Sequence, residues 1–307
     1  ATATATATAP AATSAAAPAA AAAAAGVSSV PVPTFAPAEE AGAWTHLNDV
    51  PHFEVLPHPP HDHAFLSRAE AARVARHTGA HRPATDAQPQ PQAAEGAEGA
   101  EESKGADAAA AAAPSTPPTR RGPVPGLTGC AVSGRRVQRE WRQLRKGLPP
   151  NILVRGYEQR PDLLRAVVVG PQGTPYADVL FEFDIKLPDS YPKHPPKVHY
   201  VSRFSERLNP NLYVDGKVCL SLLGTWSGDA AESWDPKRST ILQVLVSLAG
   251  LVLVPEPYYC EPGLDRQRHS RRGWASSKLY NETARLYALQ VVPLQLQDPL
   301  WDLADVV

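Results

Sequence analysis

The chain has 307 residues, a formal net charge of −1, 33 prolines and no methionine. That length suits two average domains or one domain with long appendages, and the unevenness of the composition favours the second. No run of about 18 apolar residues is free of charges and turn residues, which excludes a membrane-spanning helix, and three cysteines at irregular spacing exclude a disulfide framework.

The near-neutral total conceals a gradient. Residues 1–132 carry 7 Lys/Arg against 12 Asp/Glu, residues 133–290 carry 23 against 16, and residues 291–307 carry none against 3. The middle block therefore has a net charge of +7. Free thiols make a reducing compartment the default, which is cytoplasmic and/or nuclear. The start lacks the basic lead and apolar centre of a signal peptide. Without any Met, the chain reads as one with its initiator removed or as a piece of a larger product.

Residues 1–43 are low complexity, with 17 Ala among the first 25 and no charge before Glu39. Poly-Ala with almost no large apolar side chain has nothing to bury, so disorder is expected. Residues 83–132 read as a flexible linker rich in Ala, Pro, Gly and Glu. Between them, residues 44–82 hold seven of the ten histidines, three of them in His58-Pro-Pro-His61-Asp62-His63. Those side chains with Asp62 offer a metal reading, but no Cys is near and two prolines limit convergence. The plainer reading is a linear segment whose aromatics, Trp44, Phe53 and Phe65, dock on the folded part, followed by a helical turn at Ser67–Arg76.

From residue 133 the texture is that of a folded domain, taken here as 133–291. Val137, Trp141 and Leu144 mark one face of a helix ended by Gly147 and Pro149-Pro150. Arg135, Arg136, Arg139, Arg142, Arg145 and Lys146 occupy its other faces, opposed only by Glu140. Strands are expected at 151–157 and 163–169, then at Val179–Leu187, whose alternation predicts a half-buried antiparallel strand, then at Lys197–Val201. Residues 239–254 are apolar almost all round and predict a buried helix capped by Ser239 or Thr240. A last helix is expected over Ser276–Val291 with Leu279, Leu286 and Leu289 packed inward. The order predicts an α+β fold: an N-terminal helix, a four-stranded antiparallel meander and C-terminal helices. Residues 292–307 form a tail that mixes Leu300, Trp301 and Leu303 with three Asp, read as a partner-binding peptide or a packed end.

Residues 202–237 lack regular pattern inside the domain, which is where function concentrates. Asn209-Pro210-Asn211 is followed by the turn Asp215-Gly216 and by Val218-Cys219-Leu220-Ser221. A Cys among aliphatic residues is more often buried than reactive, and no His stands within ten residues to form a Cys-His pair. On chemistry alone the role of Cys219 stays open. The Asn211 amide suits oxyanion stabilisation or loop bracing without proton transfer.

The blocks Gly170-Pro171-x-x-Thr174-Pro175-Tyr176, Phe181-x-Phe183-x-Ile185-x-x-Pro188, Tyr191-Pro192-x-x-Pro195-Pro196 and Asn209-Pro210-Asn211 ahead of Cys219 resemble the ubiquitin-conjugating enzymes. Leu208-Asn-Pro-Asn-Leu-Tyr213, Gly216-Lys-Val-Cys-Leu-Ser-Leu-Leu-Gly-Thr-Trp226 and Glu256-Pro-Tyr-Tyr259 are most similar to its large hybrid conjugating enzyme/ligase subfamily and plant relatives. The likeness spans about residues 134–291 and implies the ubiquitin-conjugating (UBC) fold. The segment Phe53–Phe65 also resembles a short Asp-His-rich stretch ahead of the domain in those plant relatives, which supports docking over metal binding.

The resemblance implies that Cys219 accepts ubiquitin from the ubiquitin-activating enzyme as a thioester and passes it to substrate lysines, a separate ligase being left open. Asn211 then stabilises the oxyanion or holds the loop. The helix face with Arg135, Arg136, Arg139 and Arg142 becomes the activating-enzyme surface, with a merely solvated helix as the plain alternative. Nucleic acid is disfavoured, since no aromatic platform accompanies the charges. No metal and no organic cofactor is implied, because the thioester energy derives from the activating enzyme's use of ATP. Several positions depart from the family: Asn209 replaces the His of His-Pro-Asn, Ser221 an Asp, and Tyr259 an acidic gate for which Glu256 or Glu261 could substitute. Lys193 replaces an aromatic ligase contact, while Trp234 and Pro236 keep part of the second contact loop. The insert between Trp226 and Trp234 is read as a substrate or ubiquitin contact. Cys260 is a tolerated change or a redox partner of Cys219, and Cys130 is incidental. Two rivals stand beside this reading, a non-catalytic ubiquitin-binding scaffold of the same fold and a carrier of another ubiquitin-like protein.

Overall fold

The computed structural model describes residues 47, 50–79, 124, 130–226 and 232–297. The expected disorder of 1–43 and most of 83–132, the centre of the 226–234 insert and the tail from 298 lie outside the described residues. Among the described residues no helix is long and apolar enough to cross a membrane.

Nine elements frame the described chain: β1 (Phe53–Leu56), α1 (Arg68–Thr78), α2 (Gly134–Gly147), β2 (Ile152–Tyr157), β3 (Leu163–Val169), β4 (Leu180–Lys186), β5 (Lys197–Tyr200), α3 (Ile241–Ser247) and α4 (Arg271–Gln297). The expected meander is present as β2-β3-β4-β5, each pair antiparallel. A fifth strand adds to it. β1 lies parallel to β2 at the sheet edge, with Phe53 opposite Val154. α2 buries Val137, Trp141 and Leu144 as their spacing predicts. Its fourth buried residue is Glu140, whose Oε2 accepts from Ile241 N–H at 3.0 Å and so caps α3. α3 starts at the capping box Thr240–Gln243 and loosens into a π-helical turn at Leu248–Val252.

The expectation of a half-buried β4 fails. Phe181, Phe183 and Ile185 enter the core, but Glu182 and Asp184 on the opposite face are also buried. The segment 50–79 lies across the outer face of the sheet at Asp184, while Arg203 and, from the last helix, Gln295 lie against Glu182. Arg165 donates to both oxygens of Asp184 at 2.7 and 3.0 Å, and Asp62 approaches Arg165 at 3.1 Å. Ala64 N–H donates to Asp184 at 2.7 Å, while His63 Nε2 pairs with Leu164 C=O at 3.1 Å. Further along, Arg160 joins Glu70 of α1 to Asp162. At the sheet edge Phe53 packs on Trp141 and Arg145 lies over the Phe53 ring. A charge taken out of water is tolerated only when paired in this way. Phe53 and Phe65 dock on the folded part and the helix after Ser67 is present, with Ser67 and Glu70 forming a reciprocal cap, while Trp44 lies outside the described residues. Among the described residues no group of three His, Cys, Asp or Glu could hold a metal ion.

The last helix is longer than predicted and turned the other way. Its buried face is Gly273, Ser277, Ala284, Ala288, Val291 and Gln295, whereas Leu279, Leu286 and Leu289 are 65%, 61% and 53% exposed. Small residues let the helix approach the domain closely, and the leucines about half a turn away face outward. Both stripes have helical periodicity, so spacing alone could not tell which faces in.

Two predictions follow from these contacts. Burial holds His63 below its usual 6.5, an effect opposed by Asp184 and Asp62 and reinforced by Arg165. For Asp184, burial alone would raise the carboxyl, but Arg165, His63 and Ala64 N–H hold it below its ordinary value. The unfolded chain thus binds protons that the folded chain refuses. Stability is full above the unfolded pKa values and is lost as pH falls. The melting temperature is expected to drop as pH falls through the ordinary histidine value of 6.5 and below, and His63→Gln to flatten that part of the curve. For α4, urea unfolding should show Ala284→Leu costing about 1–3 kcal/mol through overpacking. Leu286→Gln should stay within about 0.5 kcal/mol of the parent.

Candidate active site

Cys219 lies in the irregular segment between β5 and α3. Asn209 and Leu212 form one bridge and Leu212 and Val218 another, so the chain doubles back through the turn Tyr213–Gly216. Gly216 has φ +89° and lies against the His199 ring, where a Cβ would come within 1.9 Å of it. Only glycine fits there. Cys219 N–H donates to Asn211 C=O at 2.8 Å, and Asn211 Nδ2 donates to Cys219 C=O at 3.0 Å. This reciprocal pair makes the Asn211 side chain a brace for the cysteine backbone. Downstream, Thr225 accepts from Leu220 N–H at 3.0 Å and donates to Val218 C=O at 2.6 Å. The residues either side of Cys219 are therefore pinned to one hydroxyl. Cys219 itself is 2% exposed.

Asn209, where the family has His, is wholly buried and uses both ends of its amide. Nδ2 donates to Tyr176 Oη at 3.0 Å and Val252 C=O at 2.8 Å, while Oδ1 accepts from Asn211 N–H at 2.8 Å. Tyr176 Oη in turn donates to Leu208 C=O at 3.0 Å. Burial pushes the Tyr176 hydroxyl well above its ordinary value, so it remains a donor at neutral pH. The substitution keeps a buried polar group fully satisfied, with Pro210 buried beside it. Sequence reasoning named Asn209 but not Tyr176, which it saw only as part of a motif. The signal was a Tyr in an otherwise apolar setting, whose hydroxyl needs a buried partner.

The other candidates scatter around this centre. Ser221 opens a single 3-10 turn, Ser221–Leu223. Tyr259 is buried, with the Arg268 guanidinium 4.4 Å from its ring centre. Glu256 pairs with Arg268 at 2.6 Å and Glu261 with Arg207 at 3.4 Å, so both acids already have a cation. Cys260 is half-buried with its thiol near Leu251 C=O, and burial pushes its pKa up to about 11. A thiol kept protonated at neutral pH is a poor redox partner for Cys219. Cys130 is similarly shifted upward by burial, and all three cysteines are free.

On α2, Arg135, Arg139 and Arg142 are exposed, but Arg136 does not share their face. Its guanidinium meets Glu140 at 2.8 Å, Ser239 C=O at 3.1 Å and the Tyr191 ring. The buried Glu140 carboxylate draws it inward. Trp234 links the two expected ligase-contact loops by donating Nε1–H to Pro192 C=O at 2.7 Å, and Lys193 and Pro236 are exposed beside it.

A meander with helices before and after it, and an Asn-Pro-Asn turn clasping a cysteine-bearing segment, defines the ubiquitin-conjugating class of fold. The ubiquitin-conjugating enzyme family matches residues 136–287, and through this domain the chain belongs to that family. Among curated relatives, it is 54% identical over 165 residues to a probable ubiquitin-conjugating enzyme E2 25 of Arabidopsis thaliana, covering 54% of this chain and 27% of the relative. It is 52% identical to the putative ubiquitin-conjugating enzyme E2 38 of the same plant, over 54% of this chain and 50% of that protein. The human dual E2 ubiquitin-conjugating enzyme/E3 ubiquitin-protein ligase BIRC6 is 43% identical over 55% of this chain and 4% of its own length. The chain thus spans half or less of these relatives. A solved ubiquitin conjugating enzyme E2 from Plasmodium falciparum aligns at 25% identity with a TM-score of 0.33, over 38% of this chain and 94% of its own.

Replacing Asn209 by Ala would leave the Asn211 N–H and Val252 C=O without partners. A loss of about 1–3 kcal/mol per orphaned group is expected in urea unfolding, with faster amide exchange at Cys219.

Proposed function

We propose that this chain takes ubiquitin from the ubiquitin-activating enzyme onto Cys219 as a thioester and transfers it to lysine amines of substrate proteins. Family membership supports thioester-mediated ubiquitin transfer in general. The observation that carries the assignment to Cys219 is the reciprocal Asn211–Cys219 hydrogen-bond pair on a free cysteine. In the first step the Cys219 thiolate attacks the thioester carbonyl on the activating enzyme, whose own thiol leaves. In the second a lysine amine attacks the new carbonyl, loses a proton, and the Cys219 thiolate departs as the isopeptide bond forms. Bracing of the Cys219 carbonyl by Asn211 fixes where the acyl group sits, which favours the loop-holding role for that side chain. Arg135, Arg139 and Arg142 form the electropositive surface for the activating enzyme, without Arg136. The combined conjugating and ligase activity named for BIRC6 makes transfer without a separate ligase part of the proposal. A free thiol carrier also belongs in a reducing compartment, the cytoplasm or the nucleus.

The test is a non-reducing gel shift of the full chain with activating enzyme, ATP and ubiquitin. A band that thiol reductant removes and that Cys219→Ala abolishes is expected, whereas Cys219→Ser should give an ester that survives reductant. No band with competent ubiquitin would sink the proposal in favour of the scaffold or of another ubiquitin-like cargo. Asn211→Ala should slow discharge to free lysine by about 10- to 10²-fold, and loading by much less.

A further inference from the structure

Arg207 lies two residues ahead of the Asn209-Pro210-Asn211 turn, and contacts engage all three nitrogens of its guanidinium. Nε donates to Asn209 C=O at 3.2 Å and Nη2 donates to Pro210 C=O. One planar group therefore spans two consecutive carbonyls of the turn. Nη1 donates to Glu261 Oε1 at 3.4 Å, and the guanidinium carbon lies 4.0 Å from the centre of the Tyr213 ring. Three separate stretches of chain converge on it: the turn, the strand of backbone that follows it, and the segment after the π-helical turn. A rigid fork with several donors that also stacks on a ring can do this, and the single ammonium of a lysine cannot.

We propose that Arg207 is a positioning residue for the attack of lysine on the thioester. Glu261 and Tyr213 hold its plane, and the plane locks the peptide groups on either side of Pro210. Asn211 follows directly, so its carbonyl and amide are set against Cys219 through Arg207. The inference rests on the reading in which Cys219 carries ubiquitin, and it adds the part that orients the brace. It also gives Glu261 a task other than accepting the proton of the incoming lysine.

Exposure separates this role from a merely structural one. The Arg207 and Glu261 side chains are 33% and 39% exposed. Ion pairs this wet contribute little to folding. Removing Arg207 should therefore change the rate of transfer far more than the melting temperature.

The experiment uses the full chain and compares single-turnover discharge of the ubiquitin thioester to free lysine. Arg207→Ala is expected to lower the maximal rate about tenfold, with loading within about twofold of the parent and the lysine KM unchanged. Arg207→Lys should recover only part of the rate. Glu261→Gln should lower it less than Arg207→Ala and keep the midpoint of the pH profile, which a proton-accepting Glu261 would shift. Combining Arg207→Ala with Asn211→Ala should cost no more than Asn211→Ala alone, because both act on one element. Parent-like discharge by Arg207→Ala, or losses that multiply with those of Asn211→Ala, would overturn the proposal. Should the parent chain fail to load at all, the ubiquitin reading falls and hydrogen exchange at the Cys219 amide decides the role of Arg207. Faster exchange in Arg207→Ala supports it, and unchanged exchange overturns it.

Discussion

The buried amide of Asn209 ties together three parts of the molecule. Its nitrogen reaches Tyr176, ahead of β4, and Val252, at the end of the π-helical turn, while its oxygen takes the Asn211 N–H. In water each of these groups has a partner for nothing, and inside the protein an unmet one is expensive. The core packing of α3 and the position of the Asn-Pro-Asn turn are therefore coupled. Asn211 then passes that position to Cys219 by two hydrogen bonds, one from its side-chain amide and one to its backbone carbonyl. The site is rigid because its chain of contacts starts in the core and ends at the cysteine.

A second constraint acts on the opposite side of the sheet. β3 and β4 carry Arg165, Glu182 and Asp184 on the face that a lone four-stranded meander would show to water. Here the segment 50–79 and the end of α4 cover that face, and these buried charges find partners: Arg165 with Asp184 and Asp62, Glu182 with Arg203. In this cover β1 pairs with β2 from Phe53 opposite Val154 to Leu56 opposite Tyr157, and His63 Nε2 meets Leu164 C=O and Asp184 while burial and Arg165 hold its pKa down. The described part of the histidine-rich stretch is thus part of the folded unit, where His58, His63 and His77 serve packing and hydrogen bonding.

Much of this was legible in the residues. The α2 face, the meander, a cap at Ser239 or Thr240 and the Asn-Pro-Asn turn ahead of Cys219 all follow from local pattern, because period, caps and turns are set by near neighbours. β1 escaped notice because four residues paired in parallel to a strand about a hundred positions away leave no local period. Arg136 was grouped with the outward arginines because helical spacing gives an angle and not a partner; the buried Glu140 decided its direction. Glu256 and Glu261 looked alike as free acids, and each proved to be engaged by a different arginine.

The orientation of α4 draws the line most sharply. Sequence by itself determined that this segment is helical and that it bears two stripes, one of leucines and one of small residues. Hydrophobicity argues for burying the leucines, yet Ala284 and Ala288 are the residues in the core and Leu279 and Leu286 are outside. Only the tertiary structure decided this, since the outcome depends on how close the helix must come to a surface that Val252, Tyr176 and their neighbours have already filled. Close-packed interiors select shape as well as polarity, and shape belongs to the assembled fold.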